Sequence, residues 1–292
     1  MKRSVSIIGA GRLGKTLGKR LREMGWSVGA VVTRSPETAR AAARAIGGGR
    51  AFAASDPASQ DVVRAADLVL IATPDQSMPE IVRNLGKRGG DWRRTVVLHT
   101  SGALDHSVLA PLARLGARTG SLHPMQTFSG KHVPRLEGVT FTVEGDAKAV
   151  RVARSIARSL GGIPVKIAGR DKPAYHMTAV LACGGGFPLI EASVRVLTRI
   201  GFTRHRALAT LLPLIRQMLD NVERIGPRAA WTGPLSRGDY AVVAAHLRAM
   251  RGYPPEFRQT YLTHAQLAAR VLADNPAAVR KQIDRAAKNS GR

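Results

Sequence analysis

Acidic side chains are scarce in this 292-residue chain, with 20 Asp and Glu against 45 Lys and Arg and a formal charge of +25. Aromatic residues are few as well, at 4%, and there is one cysteine, Cys183. One cysteine excludes an intrachain disulfide framework and points to a reducing, cytoplasmic setting. No apolar run approaches the roughly 20 residues that a membrane-spanning helix needs. Lys2-Arg3 lead directly into a glycine-rich turn instead of a secretory apolar core, so neither membrane insertion nor export is expected. The shortage of aromatics leaves few platforms for stacking nucleic-acid bases. The positive charge is spread out, net +15 over residues 1–170 and +10 over residues 171–292, with no basic tail and no zinc-finger spacing. Diffuse basicity of this kind predicts a solvated arginine face and attraction for anionic small molecules. It predicts no specific nucleic-acid partner, only weak and salt-sensitive binding.

What the chain does contain begins at residue 4. The apolar run Ser4 to Ile8 meets Gly9-Ala10-Gly11-Arg12-Leu13-Gly14, followed by Leu13, Leu17, Leu21 and Met24 at helical spacing. That order reads as strand, tight turn and helix. Gly9 permits the turn, Gly11 lets backbone approach a pyrophosphate, and Gly14 lets helix and strand pack closely. Arg12 and Leu13 open the helix, whose free amides face the anion. A second strand, Trp26 to Thr33, ends about 20 residues past the glycines, where the ribose-reading residue of a dinucleotide site is expected. There the chain carries Thr33, Arg34 and Ser35 in place of a carboxylate. A guanidinium pairs with a 2′-phosphate and the hydroxyls donate to it, so NADP(H) is the expected cofactor.

Further strand-like runs are Asp67 to Ala72, Thr95 to Leu98, Ala117 to Leu122, Val139 to Val143 and Ile163 to Ile167, with a helix over Pro36 to Ile46. Two of these end in small or polar residues at the edge where open parallel sheets hold ligands. Thr73 and Pro74 are assigned to the cofactor side, and Ser101 and Gly102 to the substrate side. From Asp171 the texture becomes helical, with patterns over Arg204 to Ile225, Asp239 to Met250, Glu256 to Ala273 and Pro276 to Lys288. The expected fold is therefore α/β, a doubly wound Rossmann domain over residues 1–169 followed by an all-helical domain over residues 170–292. The 44% hydrophobic content suffices for both cores.

Three segments could carry chemistry. Lys172 and His176 stand at i and i+4 on the helix that Asp171 and Pro173 can start, and so share a face. An ammonium there could polarise a carbonyl as hydride arrives, although such a pair is equally an exposed lysine and a hydrogen-bonded histidine. In Gly120 to Phe128, His123 and Gln126 are candidate substrate contacts, with Thr127 beside them. In Gly233 to Asp239, Arg237 could clamp a carboxylate or simply lie on the surface, and Asp239 could cap the next helix, ahead of His246. His99, His123 and His176 lack compact ligand spacing, so no metal site is expected.

Taken together, Gly9 to Gly14, His99 to Leu104, Gly120 to Phe128 with Val143 to Asp146, and Lys172 to His176 with Gly233 to Asp239 resemble a known superfamily. It is that of the 6-phosphogluconate dehydrogenases and ketopantoate reductases, in a branch labelled coenzyme F420-dependent NADP oxidoreductase-like. The resemblance implies a nucleotide-binding domain followed by a helical domain that builds a homodimer. It matches Lys172 to the catalytic lysine. The asparagine four residues later is His176 here, and a Ser-Asn pair is replaced by Cys183-Gly184, where the glycines and Pro188 should loosen or kink the helix. The activity implied is NADPH-dependent reduction of a small anionic carbonyl compound, such as a 2-keto acid of the ketopantoate class. In it Lys172 would be the proton donor, His176 its partner, and Ser101 and His123 substrate-side groups. Imine reduction, resembling pyrroline-carboxylate reductase, and a non-catalytic NADP-sensing role are the alternatives. No residue points to F420 itself.

Overall fold

The short apolar runs become eight strands in a computed structural model that describes residues 3–129 and 134–290. They are β1 (Ser4–Ile8), β2 (Ser27–Thr33), β3 (Arg50–Ala53), β4 (Leu68–Ile71), β5 (Val96–His99), β6 (Arg118–Pro124), β7 (Thr140–Gly145) and β8 (Ile163–Lys166). One sheet contains them in the order β3-β2-β1-β4-β5-β6-β7-β8. All neighbouring pairs are parallel except β6 and β7. No helix lies among the described residues between those two strands, and a return without a crossover helix is antiparallel.

Around the sheet run α1 (Arg12–Glu23), α2 (Pro36–Ile46), α3 (Ser59–Arg64), α4 (Met78–Lys87), α5 (Ala110–Ala113), α6 (Ala147–Ser159) and α7 (Lys172–Ala179). Alternate strand residues serve opposite faces. Val5, Ile7, Leu68, Leu70, Val96 and Leu98 join Leu17, Leu21 and Ile156 in one buried cluster. Ile8, Val69, Ile71 and Val97 join Met78, Val82, Leu109 and Leu112 in the other. Burial on both faces explains why these strands read as continuous apolar runs. Ser35 caps α2 by accepting from the Thr38 amide, and Asp146 caps α6 by accepting from the Lys148 and Ala149 amides. Asp171 makes no side-chain cap; a single-turn helix, Gly169–Asp171, leads into α7 and Pro173 occupies its first turn.

This first compact unit extends through Cys183, and Gly184–Arg292 forms the second. The second consists of α8 (Gly186–Arg199), α9 (Arg204–Ala229), α10 (Pro234–Arg237), α11 (Tyr240–Ala249), α12 (Pro255–Leu272) and α13 (Pro276–Asn289). Its core is small, built on Val243, Leu247, Ala265, Ala269 and Ile283. The α9 pattern read to Ile225 gives way at Gly226, whose φ of 78° breaks the regular helix before Pro227. A π-helical turn over Val180–Gly184 interrupts the regular winding just ahead of the glycines and Pro188. The helical run Gly169–Arg199 is long and apolar enough to cross a membrane by length and composition, with 6% of its apolar window buried. Reading uninterrupted apolar runs alone overlooked it, because the stretch mixes small and polar residues among its hydrophobics.

Candidate active site

The sheet order reverses between β1 and β4, and the turns leaving these two strands face one another across the resulting crevice. A cavity of about 380 Å³ opens there. Its lining brings together Gly11, Arg12, Leu13, Thr73, Pro74, Ser101, Gly102, His123, Gln126 and His176, ten of the residues singled out in the sequence. Asp75 and Phe128 also line it.

The glycines divide the work as the motif requires. Gly9 has φ of +86°, and a side chain there would meet Thr73 Cγ2 at 2.4 Å. A Cβ on Gly14 would stand 2.3 Å from the Gly9 carbonyl oxygen. Gly11, in contrast, faces open space, with nothing within 4 Å of the position its Cβ would take. No side chain caps α1 and no acidic residue lies in its first turn. Its amides are left to an anion, and Gly11 gives that anion room. Across the cavity the Thr73 hydroxyl oxygen is buried without a hydrogen-bond partner. An orphaned hydroxyl beside a helix N-terminus fits a pyrophosphate or ribose group. At the end of β2, Arg34 is exposed. The Ser35 hydroxyl accepts from the Thr38 amide, and the Thr33 hydroxyl lies 2.6 Å from that of Thr38. These residues can hold the 2′-phosphate end of NADP(H).

The other half of the cavity rests on the segment after β5. The Ser101 hydroxyl donates to Asp75 Oδ2 at 2.8 Å and accepts from the Ala103 and Leu104 amides. Its one proton is committed to Asp75. Ser101 thus shapes the floor of the cavity it was expected to line on the substrate side. Gly102 lies under two histidines: a Cβ there would meet His176 Cδ2 at 2.6 Å and His123 Nε2 at 2.8 Å. His123 Nδ1 lies 3.3 Å from the Tyr175 hydroxyl, and its ring meets those of Tyr175 and His176 edge to face. Burial, and then the charge of Lys172, push the His123 pKa down to about 4, so its ring is neutral at neutral pH. Gln126 spends its amide on its own loop, accepting from the Thr127 amide and donating to the Arg135 carbonyl.

Lys172 is placed differently from the expectation that it projects into the cleft. It is 0% exposed and does not line the cavity. Its Nζ donates to the Ser101 carbonyl and to Ser121 Oγ, each at 2.9 Å. Burial lowers its pKa to about 8, against the opposing pull of Glu144, Asp75 and Asp105. The lysine therefore carries its charge beneath the floor while His176 presents the open wall. The i, i+4 spacing put both on one side of α7 without revealing that the longer chain dives under Ser101. His99, also fully buried, accepts from the Ser101 amide, and burial together with Lys172 pushes its pKa to about 3. Arg237 belongs to the second unit, where it is exposed and pairs with Asp239 at 3.3 Å. That pairing occupies Asp239, which makes no side-chain cap on α11.

Sheet order and glycine turn define a Rossmann-type unit followed by a helical region, and the comparisons agree on that fold. Residues 1–124 match the Rossmann-like domain, and residues 139–268 match a domain of unknown function, DUF2520. No curated protein matches the chain. Among solved structures, the chain is similar to a Bacteroides fragilis protein described as an NADP oxidoreductase. Identity is 21%, coverage 96% of this chain and 98% of that one, and the TM-score 0.75. A reductive aminase from Aspergillus terreus, in complex with NADPH and ethyl levulinate, is 16% identical over 98% and 99% of the chains, with a TM-score of 0.70. An imine reductase from a Pseudomonas species is 18% identical over 97% and 100%, with a TM-score of 0.63. At these identities the likeness establishes the fold; the chemistry rests on the site.

Proposed function

We propose that the chain is an NADPH-dependent reductase of a small polarised double bond, C=O or C=N. The observation that carries this reading is one cavity joining an uncapped helix N-terminus to a histidine-lined wall above a buried ammonium. When bound, the nicotinamide supplies hydride to the carbon of the double bond. The heteroatom then needs a proton. His176, on the open wall, is the side chain placed to donate to it. Neutral His123, oriented by Tyr175, offers a further hydrogen bond, and Lys172 stabilises developing negative charge from beneath Ser101 and Gly102.

The lining also bears on substrate class. A 2-keto acid calls for a cation beside its carboxylate, yet Arg12 is the one Lys or Arg among the described residues lining the cavity, and it stands at the cofactor turn. Its guanidinium reaches the Phe128 carbonyl. The Asp75 carboxylate lines the same space. These features favour imines and neutral carbonyls over the anionic class, as does the likeness to an imine reductase and a reductive aminase. NADPH oxidation measured with cyclic imines, neutral ketones and 2-keto acids tests the choice, since faster turnover of the keto acids would overturn it.

NADP(H) specificity is assigned to Arg34. Loss of one charge-assisted pair costs about 1.5–3 kcal/mol, or roughly ten- to a hundredfold in affinity. Arg34→Ala should weaken NADPH binding by that factor and leave NADH binding unchanged. Equal affinity of the native chain for both cofactors would contradict the assignment.

The second unit suggests a homodimer. Helix α9 buries Ala207 alone. Its Leu214 (67% exposed), Met218 and Ile225 recur at i, i+4 and i+11, one apolar stripe, and Phe187, Leu189, Ile200 and Phe202 are bare on and beside α8. An identical face on a second copy is its simplest complement, through a two-fold contact. Sedimentation should give twice the chain mass for the native protein and the single mass for Leu214→Glu/Met218→Glu. A monomeric native protein would refute the pairing.

A further inference from the structure

Beneath the cavity floor three adjacent strands carry polar residues in one lateral row. His99 on β5 is in register with Ser121 on β6, and Ser121 with Glu144 on β7. Registered neighbours share a face, here the one opposite Leu98, Leu122 and Val143. The central member, Ser121, accepts from Lys172 Nζ at 2.9 Å. Glu144 is 3% exposed, with Oε2 2.7 Å from His106 Nδ1 and Oε1 buried without a hydrogen-bond partner. A carboxylate so enclosed is costly unless a cation answers it.

We propose that Glu144, braced by His106, is the positioning residue that keeps Lys172 in its charged form beneath the cavity floor. Cross-strand pairing sets the two together, with the Ser121 hydroxyl bonded to the ammonium directly opposite the glutamate. Around Lys172 stand Glu144 from β7, Asp75 after β4, Asp105 and His106 from the segment after β5, His99 on β5, His123 on β6 and His176 on its own helix. Among the carboxylates, Glu144 exerts the largest upward pull on the lysine, ahead of Asp75 and Asp105. Burial pulls the other way, so removing Glu144 leaves the amine largely neutral near pH 8. The floor at Ser101 would then lose its charged donor. The consequence for turnover rests on the reductase reading; the charge coupling does not.

The test is a pH titration of the lysine 13Cε resonances in the full chain, with the Lys172 signal identified by its loss in Lys172→Met. Glu144→Gln should move its midpoint down by about one unit or more, Glu144→Asp should restore most of the shift, and Asp105→Asn should move it less. An unmoved midpoint in Glu144→Gln, or an equal shift in Asp105→Asn, overturns the proposal. If Glu144→Gln does not fold well enough to titrate, a double-mutant cycle with Lys172→Met decides. In urea unfolding, Glu144→Ala/Lys172→Met should lose less stability than the two single changes combined, and strict additivity would overturn the pairing. A shifted midpoint in a chain that reduces no acceptor sinks the reductase reading alone, whereas normal turnover with an unmoved midpoint sinks this inference alone.

Discussion

Lys172→Ala should reduce turnover by about a hundredfold or more on any acceptor the native chain reduces, because the ammonium acts most strongly on charge that develops at the reacting heteroatom. NADPH affinity should change little. Lys172 touches the Ser101 carbonyl and the Ser121 hydroxyl, neither of which belongs to the glycine turn. Stability should fall too, since each buried acceptor left unpaired costs about 1–3 kcal/mol. Lys172→Met separates the two effects: it fills most of the volume and removes the charge. Near-normal turnover in the methionine variant would show that the buried charge is dispensable and would leave His176 and His123 to carry the proton chemistry alone.

Gly11→Val should abolish tight NADPH binding while leaving the fold intact. The backbone at Gly11 is extended, with φ of −69°, outside the left-handed region, and its Cβ would enter empty space. Surface changes of that kind alter stability by about 0.5 kcal/mol or less. The branched side chain would instead stand where the pyrophosphate approaches, and a loss of roughly a hundredfold in affinity is expected from displaced amide contacts. Gly14→Ala should behave the opposite way. Its Cβ would press on the Gly9 carbonyl at 2.3 Å, so the cost of about 1–3 kcal/mol falls on the fold itself, readable by thermal unfolding. If Gly11→Val bound NADPH like the native chain, the open side of the turn would not be the cofactor cradle.

Much of this was legible in the sequence wherever one local rule sufficed. The glycine turn, the helix over Pro36 to Ile46 and the core strands follow from periodicity and from the bounding small residues, and most helices of the second unit lie within a residue or two of their patterns. β3, Arg50–Ala53, is hard to read from sequence because it has four residues and two of them are alanines, which strands disfavour. The antiparallel pairing of β6 and β7 goes with the lack of a helix among the described residues between them, a property that no residue within the strand displays. At the site, ten residues picked out in the sequence line one cavity, but how they face was not legible there. The i, i+4 spacing allowed Lys172 to face a nicotinamide or to lie exposed, and did not reveal its burial, which depends on the distant Ser101 and Ser121. Glu144 stands within a motif, but its partner His106 lies 38 positions away along the chain, and only the β6–β7 register sets Glu144 beside Ser121, which holds Lys172.

The most direct measurement of the central claim is NADPH binding followed by NADPH oxidation, made on the same native protein against cyclic imines, neutral carbonyls, 2-keto acids and a deazaflavin. The account predicts that NADPH binds more tightly than NADH and is oxidised in the presence of at least one imine or neutral carbonyl compound, with Lys172→Ala binding the cofactor and failing to oxidise it. Tight NADPH binding with no oxidation across the whole panel would contradict the reductase reading and indicate a cofactor-sensing protein, and the absence of NADPH binding would contradict the site itself.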